Sequence, residues 1–230
     1  MKILAMDTAQ GATAVCVYDS QTRTAISLES TLMQRGHAEA LLPMVDRVIA
    51  NVPGGFSAIG RVAVTVGPGS FTGIRVGVSA ARAFGLACNI PVVGVSTLAA
   101  LASSLVVPNE RGTIAAAIDA RHGQIYLAIY SAAGAQVLSP RIVPVRDGAR
   151  LLGSDRARLC GSGAPMLAIE AWNLGLSVDV AGELIAPDIA LVARLGLLAD
   201  PEQALPSPMY LKPPDAKLPQ SVVRAPSPSA

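Results

Sequence analysis

Two aspartates stand at matching points in two similar stretches of the chain. Asp7 follows the apolar run KILAM, Asp119 follows IAAAI, and a short turn and a second apolar run come after each. Carboxylates at such points can hold a metal-bound water or act as a general base in a nucleotide cleft. An aspartate that accepts hydrogen bonds from its own turn is the commoner arrangement. The turn after Asp7 has one glycine and no Lys or Arg, so it is poorly equipped to wrap a triphosphate.

A glycine-rich turn, GPGSFTG at 67–73, joins an apolar strand to a helix. A Walker P-loop requires Lys and then Ser or Thr after its last glycine, whereas Ile74 and Arg75 follow here. The dinucleotide fingerprint is also missed, because the glycine spacing is one residue too long. A looser anion site at the helix start is one interpretation, and an ordinary turn in which Ser70 caps the helix is the other. The candidate cofactor-binding residues of the first interpretation are Asp7, Thr8, Gly69 and Ser70.

Small residues recur every four positions in the helix after this turn, at Gly73, Gly77, Ala81 and Gly85. They form one stripe of nearly bare backbone along the helix. A glycine inside a helix costs up to about 1 kcal/mol relative to alanine, so the stripe indicates close packing against something. We favour the approach of a helix from a partner, since small residues let two helices come close. The alternative is that the stripe packs on the protein's own sheet.

The remaining reactive side chains give no metal site and no nucleophile–base pair. His37 has Leu41 rather than a second ligand at the i+4 position of its predicted helix. His122 is predicted to be an exposed turn residue. The three cysteines are far apart and form no CxxC pair, which fits reduced thiols in the cytoplasm better than a disulfide or a zinc site.

The low net charge and the short apolar runs argue against a chain that coats nucleic acid and against a membrane-spanning protein. Hydrophobic residues make up 51% of the 230 residues and the formal net charge is +2, with the basic residues scattered along the chain. The longest apolar run, 83–95, is interrupted by Asn89 and Pro91 and is far shorter than the roughly 20 residues that a spanning helix requires. Asp7 lies where a signal peptide would still be apolar, so we expect a cytoplasmic protein.

The order of elements predicts an α/β chain of two related lobes. Strand, aspartate, turn and strand occur at 3–19 and again at 114–130, and a strand leading into a Gly-x-Gly turn occurs at 62–70 and at 157–165. The division that follows is a first lobe at 1–106 and a shorter second lobe at 107–200. Residues 201–230 are rich in Pro and Ser, which predicts an extended strap followed by a disordered tail, with Met209, Tyr210 and Leu211 docking the strap on the body.

Several of these stretches resemble the TsaB (YeaZ) family. The resemblance spans residues 1 to about 212 and is carried by MDTA with AVCVYD, HAEALLP, GPGSFTGIRVG, IDARHGQIYLAIY and PMYLK. It implies two ribonuclease-H-like lobes of the actin-like ATPase and sugar-kinase superfamily, with the second lobe reduced. It also implies a non-catalytic, cytoplasmic subunit in the synthesis of threonylcarbamoyladenosine next to the anticodon of tRNA. An ATP-binding kinase or ATPase of the same fold is the alternative.

The resemblance also implies partners and an interface. The chain would pair with the catalytic subunit TsaD, join the ATPase TsaE, form a homodimer when alone and meet tRNA through the complex. No cofactor would be tightly bound, and ATP or ADP would belong to the TsaD and TsaE complex. Helices at 37–51 and 72–87 would meet TsaD. The predicted interface residues are His37, Leu41, Met44, Gly73, Arg75, Gly77, Ala81 and Gly85.

Overall fold

The apolar runs of the first half form a five-stranded sheet. The structure, a computed structural model, describes residues 1–182 and 184–212. The strands are β1 (Lys2–Asp7), β2 (Ala12–Asp19), β3 (Thr24–Leu32), β4 (Ile59–Gly67) and β5 (Val92–Ser96). Their order is β3-β2-β1-β4-β5; β1, β2 and β3 are antiparallel neighbours, whereas β4 and β5 run parallel to β1. β1 is buried on both faces because helices cover both sides of the sheet.

The second half repeats this sheet strand for strand. Its strands are β6 (Thr113–Arg121), β7 (Gln124–Ser131), β8 (Gln136–Pro144), β9 (Ala157–Cys160) and β10 (Val178–Gly182). Their order is β10-β9-β6-β7-β8, with β7 antiparallel to β6 and β9 parallel to it. This correspondence confirms the predicted α/β architecture of two related lobes.

The helices also correspond, and the first two helices of the second half are shorter than their counterparts. They are α1 (His37–Ala50), α2 (Phe71–Cys88), α3 (Thr97–Ser103), α4 (Val145–Arg150), α5 (Ala164–Asn173) and α6 (Ile189–Leu198). A short 3₁₀ turn, Gly55–Ala58, precedes β4. α1 and α2 have 14 and 18 residues, whereas their counterparts α4 and α5 have 6 and 10. The reduction of the second lobe therefore affects its helices and leaves the strand number unchanged.

The last helix of each half covers the sheet of the other half. α6 buries Ile189, Val192 and Ala193 against the face of the first sheet opposite α1 and α2. α3 buries Leu98 and Leu101 against the second sheet. The predicted division at residues 106 and 200 assigns α6 to the second lobe, but α6 packs on the first sheet. α3 lies between the lobes, because its Ala100 belongs to the first core while Leu98 and Leu101 belong to the second. The exchange joins the lobes through apolar contacts that a division by sequence position does not anticipate.

Arg61 of β4 fixes the end of α6 on the first sheet. Its Nη1 donates to the carbonyl oxygens of Gly196 at 2.8 Å, Leu197 at 3.2 Å and Ala199 at 2.9 Å. These are among the carbonyls that the end of a helix leaves without intrahelical partners, and a cation there also interacts favourably with the helix dipole. A single side chain thus links α6 to the central strands.

The beginning of the predicted strap lies along the first lobe. The Gly94 N–H donates to the Ala204 carbonyl at 2.8 Å, and the Met209 N–H donates to the Val66 carbonyl at 2.7 Å. The ring of Tyr210 lies against Phe71, with centroids 5.3 Å apart. These contacts confirm that the Met209–Tyr210 cluster docks on the body. The predicted disordered tail lies outside the described residues.

Residues 1–182 and 184–212 contain no helix that combines the length and the apolarity needed to cross a membrane.

Replacing Arg61 by Met is expected to lower the free energy of unfolding by roughly 1.5–3 kcal/mol, because hydrogen bonds from a charged group to the end of α6 are lost. Urea denaturation of the purified chain measures this. Arg194→Met, at an exposed position on α6 itself, is the matched control and is expected to change stability by less than about 0.5 kcal/mol. Equal stability of the two variants would contradict the anchoring role.

Candidate functional site

Asp7 ends β1 inside the protein and does not face solvent. Its side chain is fully buried; Oδ1 accepts hydrogen bonds from the Thr65 hydroxyl and, at 2.9 Å, from the Ala9 N–H. Oδ2 has no hydrogen-bond partner among the described residues. Burial raises the pKa of Asp7 from 3.8 to about 6, although both hydrogen bonds act to lower it. The prediction that Asp7 contacts a cofactor is therefore wrong, because no ligand in a surface cleft reaches it.

The three other cofactor candidates hold the glycine-rich turn on the end of β1. Thr8 is 1% exposed, and its hydroxyl donates to the Gly73 carbonyl at 2.6 Å. The Ser70 N–H donates to the Ala9 carbonyl at 2.8 Å, and Ser70 Oγ accepts from the Gly73 N–H at 3.3 Å. Ser70 is thus the cap of α2, the simpler of the two sequence interpretations. Gly69 and Ser70 line a surface cleft, whereas Thr8 does not.

The glycine stripe of α2 packs on the protein's own sheet. All four of its residues are buried. A methyl group at Gly73 would overlap the Thr8 carbonyl oxygen, and one at Gly85 would overlap the Val92 side chain. At Gly77 the added carbon would lie 2.6 Å from Thr8 Oγ1. The prediction that this stripe receives a partner's helix is wrong, since the sheet already occupies it.

The other predicted interface residues divide by exposure. Leu41 and Met44 of α1 are each 1% exposed, and His37 is 7% exposed, so these side chains belong to the core. Arg75 is at the surface, but its guanidinium lies 3.7 Å from the centre of the Phe71 ring and its Nε donates to the Tyr210 hydroxyl at 2.8 Å. Arg75 therefore fastens the strap to α2.

His37 is a structural residue at the start of α1. Its Nδ1 lies 2.7 Å from Thr13 Oγ1. Burial lowers the pKa of His37, so the neutral imidazole is favoured. Within residues 1–182 and 184–212 no group of three His, Cys, Asp or Glu side chains is placed to hold a metal ion.

An apolar groove runs between α1 and α2 on the face opposite the sheet. Its volume is about 480 Å³. Leu41 forms part of its floor, and Leu42, which is 56% exposed, forms part of its rim. The wall that α2 contributes consists largely of small residues, which lie on the face of the helix beside the glycine stripe. The groove is lined by Ala38, Leu41, Leu42, Val76, Ser79, Ala80, Ala83, Phe84 and Ala87.

Sequence inspection missed this groove, although a signal was present. Ser79, Ala80, Ala83 and Ala87 recur at helical spacing, so they form a second small-residue face beside the glycines. Glycine permits the closest approach of two helices, so the sequence predicts a partner at the glycine face. In the folded chain the closest approach is to the sheet, and the alanine face is left open.

A cleft of about 720 Å³ separates the lobes. Gln10, Arg35 and Ser70 line it from the first lobe, and Arg121 and His122 line it from the second. Asp119 also lies here, but its Oδ1 accepts the Arg121 N–H at 2.7 Å, so it bonds to its own turn as the simpler interpretation proposed.

Comparison with known proteins matches the chain to one family. A sequence profile described as TsaD, tRNA N6-adenosine threonylcarbamoyltransferase, matches residues 29–154. The tRNA threonylcarbamoyladenosine biosynthesis protein TsaB of Escherichia coli (strain K12) is 37% identical over 130 residues, 56% of this chain and 55% of that protein. TsaB of Haemophilus influenzae is 35% identical over 126 residues, 55% of this chain and 52% of that protein. The match thus spans about half of the length of these curated relatives.

A solved structure extends the similarity to nearly the whole chain. YeaZ from Pseudomonas aeruginosa superposes with a TM-score of 0.71 at 27% sequence identity, covering 91% of this chain and 99% of that one.

Asp7→Asn is expected to remove a pH dependence of stability. Because the folded pKa lies above the ordinary value, the folded state holds the proton more tightly, and stability falls as pH rises from about 4 to 6. The free energy of unfolding of the variant, relative to that of wild type, should be up to roughly 3 kcal/mol higher at pH 7 than at pH 4. Urea denaturation between these pH values measures it. Asp46→Asn removes an exposed carboxylate on α1 and controls for the loss of charge. If the difference in free energy of unfolding between Asp7→Asn and wild type does not change with pH, the burial of Asp7 is contradicted.

Gly73→Ala is expected to destabilise the chain by roughly 1–3 kcal/mol or more, because the methyl group forces α2 away from the Thr8 backbone. Alanine's better helix propensity, about 1 kcal/mol, acts in the opposite direction. The free energy of unfolding in urea measures the net effect. Ser79→Ala on the exposed face of α2 is the control, and a Gly73→Ala chain as stable as wild type would refute the close contact.

Proposed function

This chain belongs to the TsaB (YeaZ) family, and from that premise we propose that it is an accessory, non-catalytic subunit for threonylcarbamoyladenosine synthesis in tRNA. In this role it pairs with TsaD and, through the resulting complex, meets TsaE and tRNA. The function of the subunit is to hold TsaD in a form competent for transfer of the threonylcarbamoyl group. ATP or ADP binds to the TsaD and TsaE partners.

The observation that carries the proposal is the open α1–α2 groove. Its lining residues are apolar apart from Ser79. A contiguous apolar surface on a folded chain marks an interaction site, since water contact with it is unfavourable. Ser79, Ala80, Ala83 and Ala87 have short side chains, so a partner's helix can lie close to the α2 backbone and gain many van der Waals contacts.

We infer that the same groove also mediates the expected homodimer in the absence of TsaD. Because the groove is apolar, a second copy that covers it around a twofold axis would remove the same surface from water on both copies. TsaD and the second copy then compete for one surface. Adding TsaD to the homodimer should convert it to the mixed pair.

The buried positions of Asp7 and Thr8 support a non-catalytic role. Asp7 and Thr8 are 0% and 1% exposed, and both are bonded within the protein. The alternative, an ATPase of the same fold, would need a carboxylate that reaches a bound nucleotide and its metal. Asp119 is the one exposed acid among the residues that line the described cleft, and its Oδ1 accepts a hydrogen bond from the Arg121 N–H of its own turn.

Ala83→Arg is expected to abolish co-elution with TsaD on size exclusion, with affinity reduced by roughly 100-fold or more, because a guanidinium in the groove must be desolvated without a partner. Ala83 is exposed, so the variant should unfold at the wild-type temperature. Ala50→Arg, at the exposed end of α1 outside the groove, is the matched control and should still co-elute. Co-elution of folded Ala83→Arg with TsaD would refute this interface.

A further inference from the structure

The fold gathers cationic side chains from three distant parts of the chain at the cleft between the lobes. Arg35 comes from the segment before α1, Arg121 from the end of β6, and Lys212 from the end of the strap. The imidazole of His122 lines the same cleft. Asp119 is the opposing charge, and it is engaged by the Arg121 N–H. The net character of the cleft is therefore basic, although the whole chain carries a formal charge of only +2.

The two arginines are available to a ligand. Both are exposed, and they lie on opposite lobes. Across the described ranges, 1–182 and 184–212, neither guanidinium takes part in an ion pair. An arginine fork without a protein carboxylate suits phosphate oxygens, which it can bind with two parallel hydrogen bonds.

The turn that carries Arg121 and His122 has an unusual backbone. Arg121, His122 and Gly123 have φ values of 64°, 52° and 70°, so two consecutive non-glycine residues are left-handed. Positive φ at His122 and Gly123 is the conformation that a two-residue hairpin turn between β6 and β7 requires, so the turn is a tight one. This turn places the side chains of Arg121 and His122 on the wall of the cleft.

The rest of the cleft favours a nucleic-acid backbone over a nucleotide triphosphate. A triphosphate is held by a cradle of free backbone N–H groups and by a metal on carboxylates. The Ser70 N–H is bonded to the Ala9 carbonyl, and Asp7 is buried and does not line the cleft. Separate extended arginines are instead typical of contacts to successive phosphodiesters. Tyr126 lines the same space and offers a ring for stacking with an unpaired base.

We propose that this interlobe cleft binds RNA directly, with Arg35 and Arg121 contacting phosphates of the tRNA on which the complex acts. The inference rests on the proposed function for the identity of the RNA. It adds a second surface to the subunit, separate from the α1–α2 groove. The chain would then position the tRNA as well as pair with TsaD.

The test compares the double variant Arg35→Gln/Arg121→Gln with a matched control, Arg111→Gln/Arg141→Gln, which removes the same charge at exposed positions outside the cleft. Fluorescence anisotropy with an in vitro transcribed tRNA is measured on the full chain and on its complex with TsaD, from 50 to 200 mM salt. We expect the cleft variant to bind roughly tenfold or more weakly, and its salt slope to fall by roughly 1.4–1.8 for two lost contacts. The control should change affinity less than about twofold.

Equal losses in the two variants, or no tRNA binding by the wild-type chain at low salt, would overturn the proposal. Micromolar ATP binding that depends on Arg35 and Arg121, with tRNA binding unaffected by them, would overturn it in favour of a nucleotide site. Co-elution with TsaD is measured on the same samples. A cleft variant that still pairs with TsaD but loses tRNA separates this inference from the proposed function, and a wild-type chain that binds tRNA without pairing contradicts the proposed function alone.

Discussion

The contact between the α2 backbone and the turn after β1 sets the depth of that helix in the protein. Thr8 presents its carbonyl oxygen to the Cα of Gly73 and donates its hydroxyl to the Gly73 carbonyl at 2.6 Å. No side chain fits between them, so a residue larger than glycine would push the helix outward. The Ser70 N–H bond to Ala9 fixes the start of the same helix. The turn and the groove beside α2 both take their positions from this contact.

α2 therefore has two small-residue faces with different consequences. The face with Gly73 and Gly77 is filled by the chain's own strands. The face with Ala80 and Ala83 is open and forms one wall of the apolar groove. Because α2 lies close to the sheet and its side chains facing α1 are small, a groove that can receive a partner remains between α1 and α2. Internal packing thus shapes the surface on which the proposed interaction depends.

The exchange of α3 and α6 couples the two lobes and defines the cleft between them. α6 is held on the first sheet by apolar contacts and by Arg61 at its C-terminal end. Because each lobe is covered by a helix from the other half, neither lobe would retain its full core if separated. The cleft is consequently a fixed feature of the whole chain, with Arg35 on one wall and Arg121 on the other.

The sequence by itself determined the two related lobes, the α1 and α2 positions and the docking of the strap, because these follow from local periodicity and repeated motifs. Tertiary structure decided which face of α2 is open, because glycine permits the close approach of any neighbour and its spacing does not specify which neighbour packs there. It also decided that Asp7 is buried, that α6 crosses to the first lobe, and that the cleft is basic. Those properties depend on residues that are far apart in the sequence, such as Arg35, Arg121 and Lys212 around the cleft, and no local pattern encodes them.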